Sequence, residues 1–312
     1  MSAGAGRETG VGPETGAVLD TTDSDAPTVL WRALVRLATE RLAAAGIANA
    51  ASEARWIAER AGGFDAAELI VGLDEPVTVR CATFFHQMLD RRAAGEPLQY
   101  VLGRWPFRTV ELMVDRRVLI PRPETEVLAG HLLDACDRLA ARTVVDLGTG
   151  SGALVSAVLA ERSGIEVWGT DVSEEALAVA RANVAALGRR AVAGRLVAGR
   201  WFEALPDDLR GRVDVIVSNP PYVAGHEMAD LPDDVRGWEP HVALTSGPTG
   251  LEDIETIVAE APAWLTRPGV LLLELAPHQA RRAERLARDA GFTAVSTWPD
   301  LAGRDRILHA RR

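Results

Sequence analysis

Apolar positions along the chain fall into two regimes. From Val29 to about Arg92 they recur at helical spacing, as in Leu30, Leu34, Leu37 and Leu42, then Ala54, Ile57 and Ala61, with Gly46 and Gly62-Gly63 as breaks. The spacing predicts a small helical domain over residues 28–94. Between Tyr100 and Ile120 the pattern shortens to alternation, with Val110, Leu112 and Val114 on one face and Gly103 and Pro106 as interruptions. Residues 95–120 are therefore expected to form a β-hairpin linker. Beyond Pro121, short apolar runs alternate with amphipathic segments. Thr143–Leu147, Glu166–Gly169, Arg195–Ala198, Val213–Ser218 and Val270–Leu275 read as strands, with Glu174–Ala186 and Gly250–Leu265 as helices between them. That order predicts βαβ units and a mainly parallel, doubly wound sheet within residues 121–312. The end breaks the rhythm: Phe292–Thr297 and Arg306–Ala310 are joined by Pro299–Gly303 with no helix between, which predicts an antiparallel hairpin at a sheet edge.

Residues 1–27 carry no such period and are rich in Gly, Thr and Ser, the composition of a disordered tail. The first 30 residues hold Arg7 against Glu8, Glu14, Asp20, Asp23 and Asp25, so part of the net charge of −10 sits there. No basic start followed by an apolar run marks a signal peptide, and no apolar stretch is long enough to span a bilayer. All 34 basic side chains are arginine. Schiff-base enzymes, Walker-type phosphate loops and protein kinases each depend on a lysine ammonium, so those chemistries are excluded. The two cysteines, Cys81 and Cys136, are far apart and in helical patterns, which excludes a disulfide framework or a multi-cysteine metal site and predicts two buried thiols in a cytoplasmic protein. The six histidines share no ligand spacing, and no metal site is expected. The negative charge argues against direct nucleic-acid binding.

Chemistry concentrates at two strand ends. Val144-Val145-Asp146-Leu147-Gly148-Thr149-Gly150-Ser151-Gly152 places a glycine-rich turn after the first strand of the α/β domain, just before a helix starting near Ala153. Glycine lets backbone approach a ligand closely, and the helix start offers unpaired N–H groups. Asp171, at the end of the next strand, is placed to accept hydrogen bonds from both hydroxyls of a ribose. A nucleoside-containing cofactor follows from the pair, although Gly148, Gly150 and Ala153 also satisfy the loose dinucleotide pattern. Opposite, Val213–Ser218 delivers Asn219-Pro220-Pro221-Tyr222. The prolines stiffen the backbone and remove two donors, so the Asn219 side chain and the Pro220 carbonyl can accept both N–H bonds of one planar –NH₂ while Tyr222 offers a flat face. Holding both N–H bonds would aim the nitrogen lone pair at an electrophile without a strong base.

Together these features resemble the Rossmann-like methyltransferases that act on planar amino or amide nitrogens. Further runs are similar to the peptide chain release factor glutamine methyltransferases, the HemK/PrmC family: Gly95 to Gly103 (GEPLQYVLG), Val118 to Glu126 (VLIPRPETE), Glu239-Pro240 with Ala243-Leu244, and Ala302 to Arg306 (AGRDR). The resemblance spans about Val29 to Arg311. It implies a Rossmann-like class I S-adenosylmethionine-dependent methyltransferase sheet with a terminal antiparallel hairpin, preceded by a small helical domain that grips the substrate. It also implies S-adenosyl-L-methionine as cofactor, bound by Asp146, Gly148, Thr149, Gly150, Ser151, Gly152, Asp171, Trp201 and Asn219. Asn219, Pro220, Pro221 and Tyr222 would then be catalytic and, with Arg122, Glu124 and Thr125, would bind the glutamine of a release factor's Gly-Gly-Gln motif. One departure is Arg200, where the family commonly carries an acid, so Trp201 would take more of the adenine recognition. Three alternatives remain: methylation of an adenine amino group in DNA or RNA, a nicotinamide-dependent oxidoreductase, and a non-catalytic release-factor-binding module. Asp230-Leu231-Pro232-Asp233-Asp234 reads as a solvated acidic loop or a lid, and Arg304 and Arg306 as structural.

Overall fold

The structure is a computed structural model that describes residues 29–312; the expected tail over residues 1–27 lies outside the described residues. The helical part opens with α1 (Trp31–Ala44), α2 (Ala50–Gly62), α3 (Ala66–Val71) and α4 (Val79–Ala93). Helix α1 buries Trp31, Leu34, Ala38 and Leu42, and α2 buries Ala54, Ile57, Ala58 and Ala61, so each turns one 3–4-spaced stripe inward against Phe85, Met88 and Leu89 of α4. Leu37 lies off that stripe and is exposed. Asp65 begins α3 with a capping box: its Oδ1 accepts from the N–H of Ala67 and Glu68, while Glu68 Oε2 accepts from the N–H of Asp65. Cys81, expected to be buried, is half-exposed; Cys136 is buried.

The linker differs from its alternating pattern. Leu98–Leu102 form a short helix, α5, that ends at Gly103 in the left-handed region. Only β1 (Arg104–Phe107) and β2 (Val110–Met113) make the hairpin, with Trp105 opposite Leu112. The reason is burial on two sides: Leu98, Val101 and Leu102 pack into the helical core, whereas Tyr100 packs into the core of the next domain. An alternation rule assumes one wet face and misreads such a segment.

The α/β part comprises α6 (Pro123–Leu139), β3 (Thr143–Leu147), α7 (Ala153–Glu161), β4 (Glu166–Asp171), α8 (Glu174–Ala185), β5 (Gly194–Ala198) and β6 (Val213–Ser218). It continues with α9 (Asp233–Arg236), α10 (Glu252–Trp264), β7 (Leu265–Glu274), α11 (Ala280–Asp289), β8 (Ala294–Pro299) and β9 (Asp305–Arg311). Seven strands form one sheet in the order β5-β4-β3-β6-β7-β9-β8, parallel from β5 to β7, with β9 antiparallel to both of its neighbours. Alternate strand residues sort to the two faces. Val144, Val215, Val217 and Leu272 pack under α6 and α7, while Val145, Ile216, Leu271 and Leu273 pack against α10 and α11. The chain is therefore a doubly wound sheet with a terminal antiparallel hairpin and a helical N-terminal unit.

One buried side chain fastens the hairpin to the sheet layer. Asn183 of α8 accepts from the Met113 N–H (2.7 Å) and donates to the carbonyls of Met113 (3.0 Å) and Ser151 (2.8 Å). Asn183→Leu strands the buried Ser151 carbonyl and the partly buried N–H and carbonyl of Met113, and is expected to lower the unfolding free energy by about 1–3 kcal/mol, since an unsatisfied buried group costs roughly 1 kcal/mol or more. A urea melt reads this directly, and an unchanged midpoint would show the link to be dispensable.

Candidate active site

Strand order reverses between β3 and β6, and the ends of these two strands carry the chemistry. After β3 the chain turns through Gly148, Gly150 and Gly152, all with positive φ. The N–H groups of Gly148 and Thr149 both donate to the Thr170 carbonyl (2.8 and 2.9 Å), which clamps the turn onto the end of β4. At Gly152 a Cβ would stand 3.1 Å from the Ala180 Cβ, so glycine is what lets the turn sit against α8. Asp146 lies beneath the turn, and its Oδ2 accepts from Thr149 Oγ1 at 2.7 Å. Burial pushes its carboxyl up to about 7, and its other oxygen has no partner among the described residues.

Asp171 caps β4. Its Oδ2 accepts from the Gly150 N–H (2.8 Å) and its Oδ1 from the Ser173 N–H (2.9 Å), so both oxygens are oriented and each keeps capacity for a further donor. Burial raises this carboxyl above its ordinary range, with those backbone bonds opposing. Asp171, Gly148, Gly150 and Trp201 share one cleft of about 360 Å³ with Asn219 and Pro221, a volume suited to a nucleoside-sized ligand. Trp201 adopts φ 47° at the cleft wall, packed over Gly148. Thr149, Ser151 and Gly152 lie behind this wall as supports of the turn.

Asn219 leaves β6 beside the buried Ser218, and Pro220 is buried behind it. Asn219 Nδ2 donates to Thr125 Oγ1 at 3.1 Å. The Tyr222 hydroxyl turns away from the cleft towards Glu274 Oε1 at 3.4 Å, and the Tyr222 carbonyl accepts from Gln279 Nε2 at 2.9 Å. Gln279 also holds the Gly250 carbonyl, and a Cβ on Gly250 would lie 2.5 Å from the Tyr222 carbonyl. The motif is thus clamped from behind as well as stiffened by its prolines.

Residues 122–126 start α6, with Pro123 in the first turn and Glu124 and Glu126 at the positive end of the helix dipole. Their side chains brace the site and do not line the cleft. Arg122 Nη2 pairs with Glu239 Oε1 at 2.6 Å, Glu124 with Arg304 at 3.2 Å, and Thr125 is buried between Asn219 and Glu274. Burial pushes the Glu239 carboxyl up to about 7 against the pull of Arg122. Arg304 and Arg306 both approach Asp300 and Glu124, a structural cluster in the terminal hairpin. The acidic stretch around Asp233 is exposed and forms a single helical turn, and the His241 ring lies 3.1 Å from the Arg236 carbonyl.

At the cleft end near Trp201, Arg200 pairs with Asp253 Oδ1 at 2.7 Å. Asp253 of α10 thus places a carboxylate at this end of the cleft, engaged by Arg200, a pairing that the linear pattern does not show. Glu274 was also missed, although an acid inside the run Leu271-Leu272-Leu273-Glu274-Leu275 is itself a signal, because a carboxyl in an apolar strand is costly unless it has a task. Among the described residues no group of His, Cys, Asp and Glu is arranged to hold a metal ion, and no helix is long and apolar enough to cross a membrane.

Comparison with known proteins bears on this arrangement. Residues 33–103 match the PrmC N-terminal domain model, and residues 123–232 match the methyltransferase small domain model. The release factor glutamine methyltransferase of Cereibacter sphaeroides is 44% identical over 279 residues, covering 89% of this chain and 96% of that protein. The protein of the same name from Caulobacter vibrioides is 37% identical, covering 87% and 92%. Among solved structures, the hMettl16 catalytic domain in complex with MAT2A 3'UTR hairpin 6 superposes with a TM-score of 0.53 at 19% identity, covering 72% of this chain and 81% of that one, which reflects a shared fold. With two strand ends forming one cleft behind a helical domain, and relatives this similar over nearly their whole length, the chain belongs to the release factor glutamine methyltransferases.

Proposed function

We propose that this chain transfers the methyl group of S-adenosylmethionine to the side-chain amide nitrogen of the glutamine in the Gly-Gly-Gln motif of peptide chain release factors. The observation that carries the reading is a single cleft that joins the Asp171 carboxylate and the glycine turn to Asn219 and Pro221. When bound, the cofactor supplies a sulfonium-activated methyl group as electrophile. Asp171 accepts from the ribose hydroxyls, the glycine turn admits the methionine part against bare backbone, and Trp201 offers its ring to the adenine. The Arg200–Asp253 pair closes the far end of the cleft.

Asn219 and the Pro220 carbonyl hold the two N–H bonds of the substrate amide. This draws the lone pair out of conjugation and towards the methyl carbon, so orientation and charge placement replace a strong base. With the cofactor bound, the nitrogen would gain the methyl carbon as the carbon–sulfur bond breaks, and the N-methylated amide, now cationic and strongly acidic, would lose one N–H proton to solvent on release from its acceptor. No lysine is needed. The partner is a release factor held by the helical domain, with no direct nucleic-acid or membrane contact, in the cytoplasm. The names of the relatives favour this amide substrate over an adenine amino group, and a bare binding module has no use for an acceptor pair beside a cofactor cleft.

Incubation with methyl-labelled cofactor and an intact release factor is expected to label the Gly-Gly-Gln glutamine; label on adenine of DNA or RNA instead, or none at all with a folded enzyme, would sink the proposal. Asn219→Ala is expected to lower kcat by about 100-fold or more, the scale of one lost electrostatic contact to the reacting group, with little change in cofactor affinity. Asp171→Ala should show the reverse emphasis. Loss of its charge-assisted bonds to ribose raises the cofactor Kd roughly 10- to 100-fold, and calorimetry showing an unchanged Kd would remove Asp171 from the ribose site.

A further inference from the structure

Behind Asn219 a line of hydrogen bonds reaches a buried carboxyl on the neighbouring strand. Asn219 Nδ2 donates to Thr125 Oγ1 at 3.1 Å, and Thr125 Oγ1 donates to Glu274 Oε2 at 2.8 Å. The Tyr222 hydroxyl stands 3.4 Å from the other oxygen, Oε1. The three residues come from different elements: the end of β6, the first turn of α6 and the last residue of β7. Glu274 is 1% exposed, and among the described residues no arginine lies within ion-pair distance of it. A carboxyl at the end of an apolar strand is costly to bury. An apolar residue would serve packing alone better.

The chemistry of the line gives the carboxyl a task. A side-chain amide is nearly symmetric in shape, but one end accepts and the other donates. Flipped by 180°, Asn219 would present N–H bonds to the N–H bonds of its substrate. A threonine hydroxyl has one hydrogen and can face either way. A carboxylate only accepts, so it claims the Thr125 hydrogen and leaves a threonine lone pair for a donor, which Asn219 can supply only through Nδ2. We propose that Glu274, acting through Thr125, is a positioning residue that holds the Asn219 amide with Oδ1 towards the cleft, where the substrate nitrogen needs an acceptor. The inference rests on the reading of Asn219 as that acceptor.

The groups facing Glu274 are Thr125 and Glu124 of α6, Asn219 and Tyr222 after β6, and Arg306 of β9. Burial pushes its carboxyl up to about 7; Thr125, Arg306 and Tyr222 oppose the rise and Glu124 adds to it. As pH falls through that value the group gains a proton, both donates and accepts, and no longer dictates which way the line runs.

Steady-state kinetics with S-adenosylmethionine and an intact release factor tests this. Thr125→Val is expected to lower kcat by about tenfold or more, the penalty of a misdirected catalytic group, while cofactor Kd and release-factor KM stay near wild type and Tm falls by a few degrees because a buried carboxyl oxygen loses its donor. Thr125→Ser restores the rate. The wild type is expected to lose rate below about pH 7, and Glu274→Gln, the neutral mimic, is expected to lower kcat at pH 8 and to flatten that acid limb. A Thr125→Val enzyme that is folded and turns over at the wild-type rate would overturn the proposal, as would Glu274→Gln with the wild-type rate and limb. If Asn219→Ala itself retains full activity, the assignment of the acceptor fails instead, and the two failures are told apart by that variant.

Discussion

The hydroxyl of Ser218 donates to the Leu147 carbonyl at 2.5 Å, across the two strands between which the sheet changes direction. Both residues are fully buried. The contact ties the end of β6 to the end of β3, and the residues that follow each strand make opposite walls of one cleft. At a switch point the connecting helices run to opposite sides, which leaves a crevice at the carboxyl ends of the strands. The glycine turn, Asp171 and Asn219 meet there because the topology leaves that space unfilled.

Around the crevice lie three carboxyl groups that burial pushes up to about 7: Asp146, Glu239 and Glu274. Each sits one layer behind the cleft wall. Asp146 holds Thr149 of the glycine turn, Glu239 holds Arg122, and Glu274 holds Thr125. Polar groups placed this way orient the wall without competing with a ligand for space. Hydrogen bonds offset the cost of their burial only in part, so the same buried placement that stiffens the wall also raises their pKa values.

The helical part is joined to the sheet by polar contacts of the same kind. The Tyr100 hydroxyl donates to the Val118 carbonyl at 2.6 Å in a buried setting. Glu96, buried, receives Arg91 at 2.7 Å and Arg116 at 3.3 Å, and the Arg116 guanidinium lies 4.1 Å over the Trp238 ring. Through Trp238 and Glu239 these contacts reach Pro240, which lines the cleft. The domain proposed to grip a protein substrate is therefore mechanically continuous with the wall that would receive its glutamine.

The strands and helices of the sheet domain were legible in the linear pattern because each buries one face or both, and burial writes its period into the chain. Gly148 to Gly152, Asp171 and Asn219 to Tyr222 are legible as candidates because they end a strand or directly follow one. Other features came only from packing. Leu98–Leu102 is helical since its two sides enter two cores, a fact that no single period encodes. Arg122, Glu124 and Thr125 stand near the site, yet their side chains turn to Glu239, Arg304 and Glu274, partners 117, 180 and 149 residues away in sequence. Asp253 takes up Arg200 across a shorter gap of 53 residues. Local sequence determines where a strand ends and what chemistry it carries there. Which distant side chain answers it depends on the order of strands in the sheet, and that order is settled when the whole core closes.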